Sequence, residues 1–212
     1  MMRHVAAIVL VALILWPKHC AAQTDNPGPV RVGDRWSYDL KDTATGDLRQ
    51  TFTLVVFEVN DKEIIARSTI KGAENRPQTA IFNLNWGLID NGVWQYRPNE
   101  ISINQPLQVG KEWRYEVSAK NMRDGSAWNT TGVAKVVGQE KVTMAVGTFD
   151  TFRIEVKGRQ VGAKDQRSFL TTQVFSYAPA VNRWVRRTFE ARSDGRNRDS
   201  VAEELISYSR RP

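Results

Sequence analysis

The chain has 212 residues and a formal charge of +7, yet its two histidines and its one cysteine (His4, His19 and Cys20) all fall within the first twenty positions. Beyond them there is no imidazole and no thiol. This excludes a Ser/His/Asp triad, a Cys/His pair, an ordinary His/Cys zinc or copper site and any disulfide, and leaves carboxylates, hydroxyls and amines as the available chemistry.

The first predicted element is an export leader covering residues 1–22. Arg3 and His4 form a basic start, Val5 to Trp16 is an unbroken apolar run, Pro17 breaks it, and Ala21 and Ala22 offer a processing site before Gln23. The run has twelve residues, and spanning a bilayer takes about 20. Cys20 raises a lipoprotein alternative. Against it, Pro17, Lys18 and His19 stand where lipidation needs small or aliphatic residues. Cleavage after Ala22 removes Arg3 and Lys18 and leaves 190 residues with 28 basic against 23 acidic side chains, a charge of +5. So mild a surplus predicts no nucleic-acid partner. No later apolar run approaches spanning length, so no transmembrane segment is expected after the leader. The expected destination is outside the cytoplasm, most simply the periplasm. A chain of this length without disulfides relies on packing alone.

Residues 23–29 (QTDNPGP) are a polar, flexible lead-in. The strongest internal signal follows. Pro29-Val-Arg-Val-Gly-Asp-Arg-Trp-Ser-Tyr-Asp-Leu40 recurs as Pro106-Leu-Gln-Val-Gly-Lys-Glu-Trp-Arg-Tyr-Glu-Val117, and Val59-Asn-Asp-Lys-Glu-Ile64 answers to Val137-Gly-Gln-Glu-Lys-Val142. Two matches in the same order argue for duplication within a single domain, residues 30–210, with halves 29–105 and 106–210. Two copies are too few for a solenoid.

Both copies alternate with period two. Trp36, Tyr38 and Leu40 oppose Arg35, Ser37, Asp39 and Lys41; Trp113, Tyr115 and Val117 oppose Glu112, Arg114, Glu116 and Ser118. That is the pattern of a half-buried strand. Thr51–Val59 and Ile64–Ile70, joined through Asn60-Asp61-Lys62-Glu63, predict a hairpin, and the second copy predicts another with Gly138-Gln139-Glu140-Lys141 as its turn. Further strands are expected around Thr151–Lys157, 167–177, Trp184–Ala191 and Glu203–Tyr208. No amphipathic helix of three turns is visible. The expected fold is therefore all-β and antiparallel, about ten to twelve strands in a curled sheet that forms a half-barrel, barrel or sandwich.

The motifs Gly33-Asp-Arg-Trp-Ser-Tyr38, Val146-Gly-Thr-Phe-Asp-Thr-Phe-Arg-Ile154 and Tyr177-Ala-Pro-Ala-Val-Asn-Arg-Trp-Val185 resemble those of uncharacterised exported bacterial β-domain proteins, the TapB-like or domain-of-unknown-function group. There a G-x-F-x-T/A-F/Y strand precedes a Y-A-P-x-V-G-x-V segment. The resemblance implies a bacterial envelope location and a β-rich fold, and it carries no catalytic residues. Asn182 stands where that pattern has glycine, which puts its tight turn in question.

Two groups of side chains are candidate binding sites. Trp36, Tyr38, Trp113 and Tyr115, with Trp86 and Trp94, would line or floor a cavity on the concave sheet face and hold an amphipathic ligand. Equally, Trp36 and Trp113 lead apolar faces, as core residues do. Arg183, Arg186 and Arg187 open a C-terminal run of arginines that could grip anions. The alternative is a solvated face paired with Glu190, Asp194 and Asp199; adjacent in-strand arginines 186 and 187 must point to opposite sides. No catalytic residue, metal site or cofactor is identified. The expectation is a non-enzymatic binding or assembly module of the cell envelope, its partner an amphipathic ligand or an envelope component. Two rivals stand beside it: a carboxylate-dependent glycan-active enzyme drawing on Asp34, Asp39, Asp90, Glu100, Asp150 or Glu155, and a protein that binds anionic polymer or a membrane surface through its C-terminal arginines.

Overall fold

The structure is a computed structural model that describes residues 28–211. The leader and residues 23–27 of the lead-in lie outside the described residues. Twelve strands follow one another: β1 (Arg35–Asp42), β2 (Leu48–Val59), β3 (Glu63–Ile70), β4 (Gln78–Asn83), β5 (Leu88–Asp90), β6 (Trp94–Arg97), β7 (Glu112–Asn121), β8 (Ala127–Met144), β9 (Gly147–Gly162), β10 (Ser168–Ala178), β11 (Arg183–Ser193) and β12 (Arg196–Ser209). Each pairs antiparallel with its neighbours in sequence, and β1 pairs with both β2 and β12. The sheet is thus a closed up-and-down barrel. Closure gives every strand a neighbour on both sides, which an open sheet of this size could not do.

Period-two patterning decides which side of the wall each residue faces. Trp36, Tyr38, Val56, Ile64, Val136, Ile154, Tyr177 and Leu205 point inward and are fully buried. Arg35, Arg49, Lys157 and Arg186 point outward, and Lys41 meets Glu204 at 2.8 Å on the outer face. A wall that carries charge outward lacks the apolar band of a lipid-facing barrel. No helix among the described residues is long and apolar enough to cross a membrane.

The two related stretches adopt the same backbone arrangement. The N–H groups of Gly33 and Gly110 donate to the carbonyls of Val56 and Val136, each at 2.8 Å, and the return bonds run from Val56 to Asp34 and from Val136 to Lys111. Both glycines have positive φ, +93° and +91°, which admits glycine and strains other residues. The strand then bulges at the same point in each copy, leaving Phe57 and Val137 unpaired and exposed.

That bulge corrects one expectation. Gly138-Gln139-Glu140-Lys141 is not a turn: β8 runs through it to Met144, and the chain reverses between Met144 and Gly147. Glycine followed by polar residues serves a bulge as well as a turn, and pairing with residues 147–153 of β9 keeps the segment extended.

One end of the barrel carries hairpin turns alone. The other carries the ends of the described chain and the long connection 98–111 between β6 and β7, and it is packed shut. Strands β5 and β6 are only three and four residues long, so the wall there is thin. The segment after β6 folds inward to fill it, burying Ile101, Ile103 and Leu107. The β10–β11 turn adds Ala178 and Val181. In this turn Asn182 takes φ +54°, a left-handed conformation that asparagine tolerates, so the turn forms without glycine. Its side chain also accepts from the Tyr177 hydroxyl at 2.7 Å and donates to the Gly28 carbonyl at 3.0 Å. Buried Asp34 ties the two chain ends together: its carboxylate accepts the N–H groups of Arg31 (3.0 Å) and Arg211 (2.7 Å) and lies 3.6 Å from the Arg210 guanidinium.

Glycines also make room inside the wall. Tyr115, Gly132, Gly158 and Thr171 lie in one row across β7 to β10, and the Tyr115 ring lies over both glycines. A methyl group on Gly132 would collide with the Lys157 carbonyl oxygen and the Tyr115 ring, whereas one on Gly138 would meet nothing within 4 Å. Gly132→Ala should therefore destabilise the protein by about 1–3 kcal/mol, a loss that adding Tyr115→Phe does not recover because the backbone oxygen remains. Gly138→Ala should leave the urea midpoint nearly unchanged.

Candidate functional site

Arg183, the first residue of β11, turns into the barrel instead of out to solvent and is 2% exposed. Its guanidinium carbon lies 4.0 Å from the centre of the Trp184 ring and 4.3 Å from that of Trp86. Phe82 (5.2 Å), Tyr38 (5.7 Å) and Trp36 (5.8 Å) complete an aromatic cage. No carboxylate among the described residues forms an ion pair with it, and its Nε and Nη1 find no acceptor in the protein. Burial pulls its pKa below the ordinary arginine value, opposed by Tyr38 and Glu203.

The cage is held by its own polar edges. Trp36 Nε1 donates to the Val181 carbonyl (3.1 Å), Trp86 Nε1 to the Asn182 carbonyl (2.7 Å) and the Tyr38 hydroxyl to the Trp184 carbonyl (2.8 Å). Aromatic donors thus take three carbonyls of the 181–184 segment, which satisfies both partners away from water. Trp86 has φ +63°, rare for a bulky residue. The Asn83 side chain enforces it by accepting the N–H groups of Asn85 and Gly87, while the Trp86 N–H donates to the Asn83 carbonyl.

Beside the cage, Arg187 binds Glu100 at 2.7 Å and the Gln173 side-chain oxygen at 2.8 Å, with Glu203 at 3.8 Å. Burial lowers its pKa, but the attraction of Glu100 and Glu203 outweighs this and lifts it overall. Glu203 also accepts from Trp184 Nε1 at 2.9 Å. Glu100 comes from the inward-folded segment after β6, so this cluster joins that segment to the far wall.

Above these groups is a cavity of about 230 Å³, open to solvent. Arg183, Trp86 and Phe82 line it toward the closed end, and Phe52, Ile70, the paired Leu40 and Gln50, and Asn91 line it toward the hairpin end. By volume it has room for roughly seven or eight waters.

The sequence candidates separate. Trp36 and Tyr38 lie in the closed core, Tyr38 and Trp36 touching the cage around Arg183, and Trp86 lines the cavity. Trp113 and Tyr115 face a different groove of about 230 Å³ between β7 and residues 98–104. Trp113 Nε1 is buried there without a partner, while the Tyr115 hydroxyl reaches over Gly158 toward Thr171. Trp94, half-buried on β6, lines neither space. Arg183 and Arg187 point inward, while Arg186 points outward toward Glu204 at 3.8 Å. Arg192 and Arg198 pair with Glu190 and Asp194, so these arginines form no single strip. Among the candidate acids, Asp34 binds main-chain N–H groups, Asp39 accepts from Thr51, Asp90 from Gln95, Asp150 pairs with Lys141 and Glu155 with Arg153. Glu100 alone of them lines the cavity.

Glu203, Gln173 and Phe82 were not singled out by sequence reasoning, although a signal existed. In Val201-Ala-Glu-Glu-Leu205 the alternate positions read Val, Glu, Leu, and in Arg187-Thr-Phe-Glu-Ala191 they read Arg, Phe, Ala. A charge on an otherwise apolar face marks an inward ion pair.

Burial raises the pKa of the Tyr38, Tyr96 and Tyr177 phenols, and that of Tyr115 to about 12. A phenol that holds its proton more tightly when folded contributes its stability in full below pH about 10 and loses it as pH climbs toward the folded value. The unfolding free energy, read from urea titrations, should therefore hold steady up to pH about 10 and then fall, at most by about 1.4 kcal/mol per pH unit for each phenol. A flat profile to pH 12 would contradict this assignment.

No family model matches the chain, and no curated protein does. Solved structures do match. A candidate lipoprotein from Parabacteroides distasonis superposes with a TM-score of 0.58 at 14% identity, over 85% of this chain and 97% of the other. A candidate exported protein with a YmcC-like fold from Bacteroides fragilis gives 0.55 at 14% identity, over 86% and 98%. At that identity the likeness speaks to architecture, and the chain is a β-barrel of YmcC-like fold.

Proposed function

We propose that this protein is a non-enzymatic module of the bacterial cell envelope that holds a small amphipathic molecule inside its barrel. The observation that carries the reading is the cavity. One end of the barrel is packed shut, while the other keeps an open space whose walls mix apolar side chains with Gln50, Ser68, Gln78 and Asn91 and whose inner part carries the charged groups. Apolar lining with a few convergent polar groups is the usual make-up of a ligand site. Export to the envelope is supported by the leader pattern in residues 1–22 and by neighbours described as exported or as lipoproteins. The motif likeness to the TapB-like group points the same way. We further read residues 29–105 and 106–210 as two copies of one ancestral unit within a single domain. The matched hydrogen bonds at Gly33 and Gly110 support that reading.

The rival chemistries have less behind them. Glycoside hydrolysis needs one acid and one base facing each other across the substrate. Glu100 and Glu203, the carboxylates lining the cavity, instead converge on Arg187. The outward arginines named for a polymer surface are engaged with acids on the wall.

Trp86 and Trp184 border the cavity, so intrinsic fluorescence reports its occupancy. Titration with eight-carbon amphiphiles (octanoate, 1-octanol and octylamine) should give a saturable change for at least one of them. Ala80→Phe, which fills the space beside Phe82, should weaken that binding at least tenfold, and Ser68→Phe nearer the rim provides a second blocked variant. A wild-type protein that responds to none of the three, or folded filled variants that bind as well as wild type, would remove the proposal.

A further inference from the structure

We infer that the cavity selects a monocarboxylate on a short apolar chain, bound head inward with its carboxylate against Arg183. The inference rests on the reading of the cavity as a ligand site and names its ligand class.

Arg187 is answered by Glu100, Gln173 and Glu203, while Glu203 also receives Trp184 Nε1. Those acceptors are used up within the cluster. Arg183 has none of them: the Tyr38 hydroxyl is the polar group that partners its guanidinium, Nε and Nη1 are buried without an acceptor, and its side chain lines the cavity toward the closed end. Ring faces stabilise its charge from above and below but accept hydrogen bonds poorly, so Nε and Nη1 stay unanswered and no anion balances the charge. An anionic oxygen set against the edge of the guanidinium that the cavity reaches would gain a charge-assisted hydrogen bond in a low-dielectric setting, where such bonds are strong.

The rest of the lining sets the remaining features. Phe52, Leu54 and Ile70 give the cavity apolar walls, and the exposed Gln78 with Gln50 adds polar groups toward the hairpin end. From Gln50 to Leu54 along β2 the lining descends roughly 13 Å at about 3.3 Å per residue. A chain with its charged head at the rim would leave Arg183 unanswered and set its apolar tail against the guanidinium. One unanswered guanidinium matches one negative charge. A phosphate dianion would bring a second, close to Glu100 and Glu203, and an ammonium would face Arg183 directly. Arg183 therefore acts as the specificity-determining residue.

The probes are octanoate, 1-octanol and two bromo-octanoates, with tryptophan fluorescence as the readout. Octanoate should bind at least tenfold more tightly than 1-octanol, and Arg183→Met should abolish that ratio. Bromine quenches nearby indoles, so 2-bromooctanoate should quench Trp86 and Trp184 more strongly than 8-bromooctanoate at equal saturation. This comparison needs only wild-type protein and stands even if Arg183→Met fails to fold. Equal affinity for octanoate and octanol, or stronger quenching by the 8-bromo isomer, would overturn the carboxylate inference and leave the cavity reading intact. Binding of octylamine alone would likewise overturn only the carboxylate inference, and absence of binding by octanoate, 1-octanol and octylamine alike would overturn both.

Discussion

A guanidinium buried among aromatic rings is the interaction around which this barrel is arranged. Moving such an ion out of water costs several kcal/mol even after relaxation, and Arg183 has no ion-pair partner of its own among the described residues to offset that. Five rings surround it instead. Each well-placed, desolvated ring contributes about 0.5–2 kcal/mol, so several together offset much of the penalty. They can do so only while fixed in place. The carbonyls of Val181, Asn182 and Trp184 fix them, by accepting from Trp36, Trp86 and Tyr38. The β10–β11 turn is thus both the plug of the closed end and the frame of the cage.

Barrel closure brings these groups together. Trp36 and Tyr38 arrive on β1, Phe82 on β4, Trp86 on the following turn and Trp184 on β11. Strands β1 and β11 both flank β12, so the closing pair β1–β12 sets Tyr38 near Trp184. Asp34 secures that closure from outside the sheet, through the N–H groups of Arg31 and Arg211. The thin stretch at β5 and β6 is what admits the segment carrying Glu100, whose carboxylate reaches the interior and engages Arg187. Weak pairing in one part of the wall therefore supplies a charge to the centre.

Much of this was legible from residue order. Alternation at Trp36, Tyr38 and Leu40 gave the strand and its buried side, and the absence of long amphipathic helices gave the class. Gly138 misled because a bulge and a turn draw on the same residues, and only the partner strand distinguishes them. The opposite facing of Arg186 and Arg187 followed from strand geometry alone. The separation of Trp36 from Trp113 did not. Their motifs match, but Trp36 packs edge-on against Trp86 at 5.2 Å, whereas Trp113 faces residues 98–104 across a groove.

By itself, then, the sequence determined the antiparallel β-class, the inward and outward faces of strands such as β1 and β7, and the lack of thiol and imidazole chemistry after residue 20. These are local properties: the two-residue period and the side-chain inventory do not depend on distant partners. Only the tertiary structure decided that the sheet closes, that Arg183 enters an aromatic cage, and that Glu100 meets Arg187 across 87 positions of chain. Those outcomes depend on which strands become neighbours and on where a buried charge can be compensated. Both are properties of the assembled barrel and not of any segment within it.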